Sequence, residues 1–259
     1  MALTNKTIAS TYGDILQADN SGSGRTANGT TIKDGLGQST ALKLGQNKAK
    51  ISPSSDSTTT FSVASTGGTN LLVVDSTNSA VKLGTTQSYA NTQIQKFGVY
   101  DLQPTADTHH AMYSDAAMTS ISLTIDFGTS TDPATTYTLG SSEANANSLV
   151  GSIWYIPAAI TIDEVRVIAA GEAADTINFH LFSYTMASGT GAGAGDLSSG
   201  TLLAHNGSTL TTGADRVTST TLTIDSANVA ADKVVIATIE NVGATTDLTA
   251  QLIVKYHYQ

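Results

Sequence analysis

The sequence contains no cysteine, which excludes disulfide bonds and thiolate metal sites and leaves the redox compartment unmarked. No stretch approaches the roughly 18 apolar residues that a membrane-spanning helix needs. The residues after Met1 include no apolar segment of signal-peptide length. Charged residues make up only 13% of the chain, about half the usual fraction in globular domains. These absences predict a soluble protein with no secretion signal and no membrane partner.

Small and hydroxyl-bearing residues take the place of the missing charges. Thr is β-branched and packs well on a pleated sheet, whereas Ser, Gly and Asn favour turns. Such a chain solubilises its strands with hydroxyls and amides, as fibres and virion surface proteins often do. A length of 259 residues is compatible with one or two domains. The composition therefore predicts an all-β protein.

The net charge of −9 is unevenly distributed. Residues 1–100 carry a net charge of +3, and residues 101–259 carry −12. A mildly basic half can dock on an acidic assembly surface while an acidic half stays solvated, although acidic domains are also common without any such role. No cluster of Lys and Arg provides the positive surface that nucleic-acid binding requires, so no nucleic-acid partner is expected.

The first third of the chain is predicted to be an assembly region. Residues 1–39 are rich in turn formers and poor in apolar residues, which predicts an extended arm, although Ile8, Tyr12, Ile15 and Leu16 have the spacing of one short helix. Residues 40–85 contain short apolar alternations between turns, which predicts a small region of β-hairpins. Because so small a region has a thin core, pairing between identical chains would complete it. The candidate oligomer core is Leu42, Leu44, Leu72, Val74, Val81 and Leu83.

The remainder of the chain is predicted to form one larger β domain. Residues 86–119 are interpreted as linker and domain entry, and residues 120–259 as a jelly-roll-like β-sandwich. A break in the alternation near Asp163 predicts a β-bulge. The last predicted strand, Leu248–Tyr258, alternates between apolar and polar residues. The other predicted strands are 120–127, 135–139, 149–156, 160–169, 177–186, 201–204, 217–224 and 233–240.

No motif in the sequence carries a recognisable catalytic chemistry. His109 and His110 follow Asp107 and could ligate a cation, but adjacent residues of an extended chain point in opposite directions, which favours ordinary loop histidines. The glycine-rich stretch 188–195 lacks the Gly-Lys-Ser/Thr of a phosphate loop and is predicted to connect two strands. Trp154 is interpreted as a packing residue, with a sugar-stacking platform as the alternative. We predict no catalytic residue, no cofactor and no metal site, and hence no enzyme.

Four phrases of the sequence resemble a family of virion proteins from tailed bacteriophages, common in marine and environmental phages. They are KTIASTYGDILQADN at residues 6–20, TIKDGLGQSTAL at 31–42, LLVVDSTNSAVKLG at 71–84 and LIVKYHY at 252–258. The resemblance implies a structural protein of the phage head or tail, a trimer in its assembled form. It implies no catalytic residue.

Together these observations favour a capsid decoration, cement or head-fibre protein. The N-terminal region would bind the major capsid protein and form a homotrimer, and the acidic sandwich would lie on the outer surface of a capsid assembled in the host cytoplasm. The alternative is a tail fibre or tail adaptor whose sandwich binds a host surface glycan, and a polysaccharide depolymerase is a third class. The candidate capsid contacts are Ile8, Tyr12, Ile15, Leu16, Arg25 and Lys33.

Overall fold

The computed structural model describes residues 17–18, 29–34, 36–84, 88–114, 125–140, 143–207 and 210–259. Strands account for 53% of the residues and helix for 4%, which confirms the predicted all-β class. The chain divides into two compact units, Met1–Ala90 and Asn91–Gln259. The predicted short helix and five of the candidate capsid contacts lie outside the described residues; these contacts are Ile8, Tyr12, Ile15, Leu16 and Arg25.

The first unit contains two four-stranded antiparallel sheets, and each is a meander of consecutive strands. The first small sheet consists of β1 Gln17–Ala18, β2 Thr30–Lys33, β3 Ser39–Leu44 and β4 Ala49–Ile51. The second small sheet consists of β5 Phe61–Ala64, β6 Asn70–Asp75, β7 Ala80–Leu83 and β8 Ser88–Tyr89. Strand β2 lies within the stretch expected to be an extended arm, and it pairs with β3. Gly68, with φ of +82°, supplies the left-handed residue of the turn between β5 and β6.

The described residues of the second unit form two antiparallel sheets and one helix. In chain order its elements are β9 Thr92–Leu102, β10 His110–Ala111, α1 Glu143–Ser152, β11 Trp154–Ile156, β12 Ile160–Gly171, β13 Thr176–Met186, β14 Leu197–His205, β15 Leu210–Thr211, β16 Val217–Thr221, β17 Thr223–Ile224, β18 Asn228–Val229, β19 Lys233–Asn241 and β20 Leu248–Tyr258. The five-stranded sheet has the order β16-β12-β20-β9, with β18 beside β12. The seven-stranded sheet has the order β10-β19-β13-β14-β17, with β11 beside β19 and β15 beside β13.

The two sheets of the second unit face each other across one hydrophobic core, so the predicted β-sandwich is confirmed. The five-stranded sheet contributes residues such as Phe97, Val167 and Leu252, and the seven-stranded sheet contributes residues such as Phe179 and Ala237. Alternate residues of each strand point into this core because side chains alternate between the faces of a sheet. The sandwich thereby buries the apolar half of each of its long strands.

The outer face of the seven-stranded sheet is also covered. Phe182, Tyr184 and Ile236 pack there against Phe127 and against Leu149 of helix α1. Burial on both faces explains the unbroken apolar run from Val234 to Ala237 in β19, a strand in which every residue after Lys233 is buried. This second layer follows from long-range packing, which strand alternation by itself does not predict.

The segment before Trp154 departs from the sequence-based prediction. The predicted strand 149–156 is wrong over its first half, where helix α1 extends to Ser152 and strand β11 begins only at Trp154. Ser148, Leu149 and Ser152 are buried and lie on one side of the helix, as their spacing requires. Asn, Ser and Gly are weak helix formers, which concealed the helix in the sequence. Within the described part of the chain, no helix has the length and apolarity to cross a membrane.

Strands β12, β13, β19 and β20 agree with their predicted bounds to within two residues. Strand β20 occupies Leu248–Tyr258 as predicted, with Leu248, Leu252 and Val254 buried on its core side. The β12–β20 register shifts between Ile162 and Glu164, which places a bulge at Asp163. Residues 86–119, which were interpreted as linker and domain entry, contain strand β9. Only Phe97, Val99 and Leu102 of this strand are buried, and their polar neighbours concealed the alternation in the sequence.

Candidate functional site

The second small sheet presents one apolar face, formed by two rows of side chains that cross three strands. Strand pairing places one residue from each of β5, β6 and β7 side by side in each row, and directly opposed residues share a face. The rows are Phe61–Val74–Val81 and Val63–Leu72–Leu83. We call these six residues the apolar face.

The apolar face remains partly open to solvent. Phe61 is 39% exposed, Val81 43%, and Val63 and Leu83 47% each, while Leu72 and Val74 are half-buried. None of its six members carries a charge. An apolar surface of this kind is the usual sign of an interaction site.

The opposite face of the same sheet is fixed by a buried ion pair. Asp75 is fully buried, and its Oδ2 accepts hydrogen bonds from Asn78 Nδ2 at 2.8 Å and from Lys82 Nζ at 2.9 Å. These two side-chain hydrogen bonds, that from Asn78 foremost, lower the pKa of Asp75 to about 2. The same ion pair raises the pKa of Lys82. The network therefore holds β6 and the following turn to β7 in one arrangement.

The first small sheet combines an apolar side with an unneutralised pair of lysines. Leu42 pairs with Ile51, and the two are 37% and 42% exposed. Lys43 pairs directly with Lys50, and in the described residues neither makes an ion pair. Like charges in this position repel each other, and an acidic partner would relieve the repulsion.

The candidate oligomer residues fall into two separate groups. Leu42 and Leu44 lie in the first small sheet, whereas Leu72, Val74, Val81 and Leu83 all belong to the apolar face of the second. Phe61 and Val63 were not among the predicted oligomer-core residues, although their alternation along β5 could have identified them. Of the candidate capsid contacts, Lys33 alone is described; it ends β2 and is half-buried.

Three histidines form a row on the outer face of the seven-stranded sheet, which we call the histidine row. The ring centroids of His109 and His180 are 5.0 Å apart, and those of His180 and His205 are 6.1 Å apart and nearly parallel. His180 and His205 are directly opposed in the β13–β14 pairing. Because Leu181 and Phe179 fill the opposite face of β13, the row is separated from the main core.

Three ring nitrogens of the histidine row lie close to an oxygen of a neighbouring residue, and two buried ring nitrogens of the row make no hydrogen bond in the described structure. His109 Nε2 donates to the Ser130 carbonyl at 2.7 Å, and His180 Nε2 lies 3.4 Å from Asp132 Oδ1. His205 Nδ1 lies 2.7 Å from Asp225 Oδ2. The Nδ1 atoms of His109 and His180 are buried and make no hydrogen bond in the described structure.

Burial is the main cause of the lowered pKa of His180. Desolvation, followed by the charge of neighbouring His109, lowers the pKa of His180 to about 4. Glu240, which accepts a hydrogen bond from Asn178 at 2.8 Å, lies 3.9 Å from His109 Nε2 and adds a carboxylate at one end of the row. Among the described residues, no three His, Asp or Glu side chains are placed to share a metal ion. The His180 imidazole at the centre of the row is therefore neutral at neutral pH.

Trp154 takes part in packing rather than in a surface platform. It is half-buried, and its ring centroid lies 4.8 Å from that of Tyr256 and 6.3 Å from that of Phe97. Tyr155 points outward and donates a hydrogen bond to Asp232 at 2.5 Å. The glycine-rich stretch 188–195 connects β13 to β14, as predicted for a loop between strands.

Comparisons with known proteins leave the family open. No protein-family model matches the chain, and neither does any curated protein. One similar solved structure is a chain of infectious bursal disease virus, Gx strain, with 8% sequence identity and a TM-score of 0.21. The match covers 73% of this chain and 64% of that chain, so this chain spans less than two thirds of the viral chain's length. A TM-score of this size does not establish a shared fold and assigns no function.

Proposed function

We propose that the chain is a structural protein of a tailed-phage virion, in the class of capsid decoration, cement or head-fibre proteins. The first unit binds the major capsid protein and further copies of the chain, in a homotrimer. The acidic second unit lies on the outer surface of the capsid. Each copy bridges neighbouring capsid subunits and helps them to resist the pressure of packaged DNA.

The observation that carries this proposal is the difference in packing between the two units. Within residues 29–84 that the structure describes, Val73 is the only fully buried hydrophobic side chain. The second unit, by contrast, encloses two hydrophobic clusters of its own. The first unit thus offers apolar and basic surface to partners, which suits a protein whose role is assembly.

The Lys43–Lys50 pair supports an acidic partner for the first unit. The experiment is to measure binding of the full chain to capsids that lack it, with the double variant Lys43→Glu and Lys50→Glu. We expect the variant to lose most of its binding, and the binding of the wild type to weaken as salt rises. Lys96→Glu, at an exposed position of β9 in the other unit, is the matched control. Equal binding by all three proteins would overturn the proposed docking mode.

A tail fibre or tail adaptor with a glycan-binding sandwich is the second candidate. It is supported by a shallow depression of about 300 Å³ beside Tyr100, which is 70% exposed, and Gln95 and Gln251 line the same depression. Aromatic rings and amides are groups that bind sugars. Copy number separates the candidates, because decoration requires on the order of hundreds of copies per particle, whereas a tail component is present in a handful.

A further inference from the structure

Four polar residues are joined at one end of the sandwich, where the β12–β13, β15–β16 and β19–β20 connections meet. Thr246 Oγ1 donates a hydrogen bond to Asp175 Oδ1, and the Asp175 amide donates to Thr212 Oγ1 at 3.0 Å. Asn241 Nδ2 donates to the same Thr246 hydroxyl at 3.3 Å. We call Asp175, Thr212, Asn241 and Thr246 the oxygen cluster.

Two oxygens of this cluster have no partner in the described structure. Asp175 is 3% exposed and Asn241 is fully buried, and neither Asp175 Oδ2 nor Asn241 Oδ1 accepts a hydrogen bond. Among the described residues, no Lys, Arg or His forms an ion pair with Asp175. Buried polar atoms are nearly always paired, and a buried carboxylate without a positive partner is costly. The cluster therefore lacks a ligand that is positively charged.

The oxygens of the cluster converge on the open side of Gly171. A Cβ atom at Gly171 would lie 2.6 Å from Asp175 Oδ2, 3.0 Å from Thr212 Oγ1 and 3.2 Å from the Ala173 carbonyl oxygen. Only glycine leaves this region free of a side chain. Carboxylate, amide, hydroxyl and carbonyl oxygens together are the ligand types that Ca²⁺ takes in proteins.

The surface beside the cluster carries an excess of negative charge. Gly171 also lines a groove of about 460 Å³, which contains four acidic residues and one basic residue: Asp101, Glu172, Asp215, Asp247 and Arg216. A buried water molecule would donate hydrogen bonds to the two unpaired oxygens, but it would not neutralise the Asp175 carboxylate or the field of the groove. A cation does both.

We propose that the oxygen cluster binds one Ca²⁺ ion through Asp175 Oδ2 and Asn241 Oδ1. The site has one carboxylate and otherwise neutral oxygens, which distinguishes it from a cluster of three His, Asp or Glu side chains. Ca²⁺ suits such a set better than Mg²⁺, which demands a regular octahedron and retains several waters. The bound ion would tie three connections of the sandwich together. This inference goes beyond the proposed function and does not rest on it.

The test is a calorimetric titration of the full chain with Ca²⁺ after treatment with a chelator, at constant ionic strength. We expect one ion per chain, with a dissociation constant on the order of 0.1–1 mM because the site has a single carboxylate. At about 10 mM Ca²⁺ the thermal midpoint of the second unit, followed by the fluorescence of Trp154, should rise by roughly 3–10 °C. Mg²⁺ should produce no comparable rise.

Three variants locate the site. Asp175→Asn keeps the shape of the side chain but removes its charge, and it should weaken Ca²⁺ binding at least about tenfold. Glu172→Gln removes one charge from an exposed position of the groove and is the matched control, with a loss of less than about threefold. Asn241→Asp adds a second carboxylate and should tighten binding about tenfold, which keeps the test decisive if Asp175→Asn fails to fold.

The inference is wrong if the wild type binds no Ca²⁺ up to about 10 mM, a result that would leave a water molecule as the partner of the two oxygens. Equal responses to Ca²⁺ and Mg²⁺, or equal losses in Asp175→Asn and Glu172→Gln, would assign binding to the acidic groove as a whole and would also overturn it. Asn241→Asp binding no tighter than the wild type would overturn the assigned pair of ligands. None of these results bears on capsid docking through Lys43 and Lys50, which belong to the first unit.

Discussion

Acidification is expected to destabilise the second unit through His180. Burial lowers the pKa of this imidazole to about 4, whereas in the unfolded chain it titrates near its ordinary value of 6.5. Between these two values the unfolded state binds the proton and the folded state does not. The contribution of the neutral His180 to the unfolding free energy is therefore fully present above about pH 6.5 and is lost as the pH falls toward 4.

The size of the effect follows from the two pKa values. Their difference corresponds to about 3 kcal/mol of unfolding free energy, of which about 1 kcal/mol is lost by pH 5.5 and about 2–3 kcal/mol by pH 4.5. The His180 side chain is 5% exposed, so solvent screens little of this cost. A loss of this size is a substantial part of the stability of a typical domain.

The assay is urea unfolding followed by the fluorescence of Trp154, which packs in the core of the same unit. Unfolding free energies are compared over the range from neutral pH to pH 4.5 for the wild type and for His180→Gln, whose amide does not titrate. The variant should show a clearly shallower dependence on pH. Some dependence should remain, because burial also lowers the pKa of His110. His257→Gln, at a buried histidine bonded to Asp163 on the other sheet, should keep the pH dependence of His180.

Two results would refute this reasoning. One is a wild-type stability that does not change between neutral pH and pH 4.5. The other is a His180→Gln variant with the same pH slope as the wild type, which would assign the acid sensitivity to other groups. A lower unfolding free energy of the variant at neutral pH, with no change in the pH slope, would report only the change in packing and hydrogen bonding.

Two further predictions concern single positions in each unit. Gly200→Ala should lower the unfolding free energy of the second unit by about 1–3 kcal/mol, since the added methyl group would lie 2.7 Å from Thr135 Cα. Gly191 has open space around it, so Gly191→Ala should be close to neutral in the same urea titration. In the first unit, the stabilising ionisation of Asp75 is complete above about pH 4 and is lost as the pH falls toward 2. The protection of the β6 amides, measured as the exchange rate relative to the intrinsic rate at each pH, should therefore fall over that range in the wild type. Asp75→Asn should show lower protection already at neutral pH and no further fall over that range; an acid dependence equal to that of the wild type would assign it to another group.

Local patterns in the sequence were sufficient for strands β12, β13, β19 and β20, but not for β9. The alternation of β20 and the bulge at Asp163 of β12 were both readable, because one face of each strand packs in the sandwich core and the other does not. Helix α1 was not readable, since its buried Leu149 lies among Asn, Ser and Gly. Its stability comes from covering the seven-stranded sheet, a long-range contact that leaves no periodic signal.

The candidate site was predictable in part for the same reason. Four of the six apolar-face residues were identified by alternation within β6 and β7. The histidine row was not, because His109, His180 and His205 are far apart in sequence and meet only through strand pairing and the segment that covers the sheet. From the sequence, His109 and His110 were interpreted as ordinary loop histidines in preference to a cation site, and in the structure their rings have different partners, the Ser130 carbonyl and the Thr105 amide.

The position of β20 has a consequence for the order in which the protein folds during synthesis. This strand lies between β12 and β9 in the five-stranded sheet, and it joins residues about 150 positions apart, whereas both sheets of the first unit pair only consecutive strands. The first unit can therefore form while the ribosome is still translating, but the sandwich cannot close until Leu248–Tyr258 has emerged. Until that strand has emerged, β9 and β12 each keep an open edge where β20 will later pair.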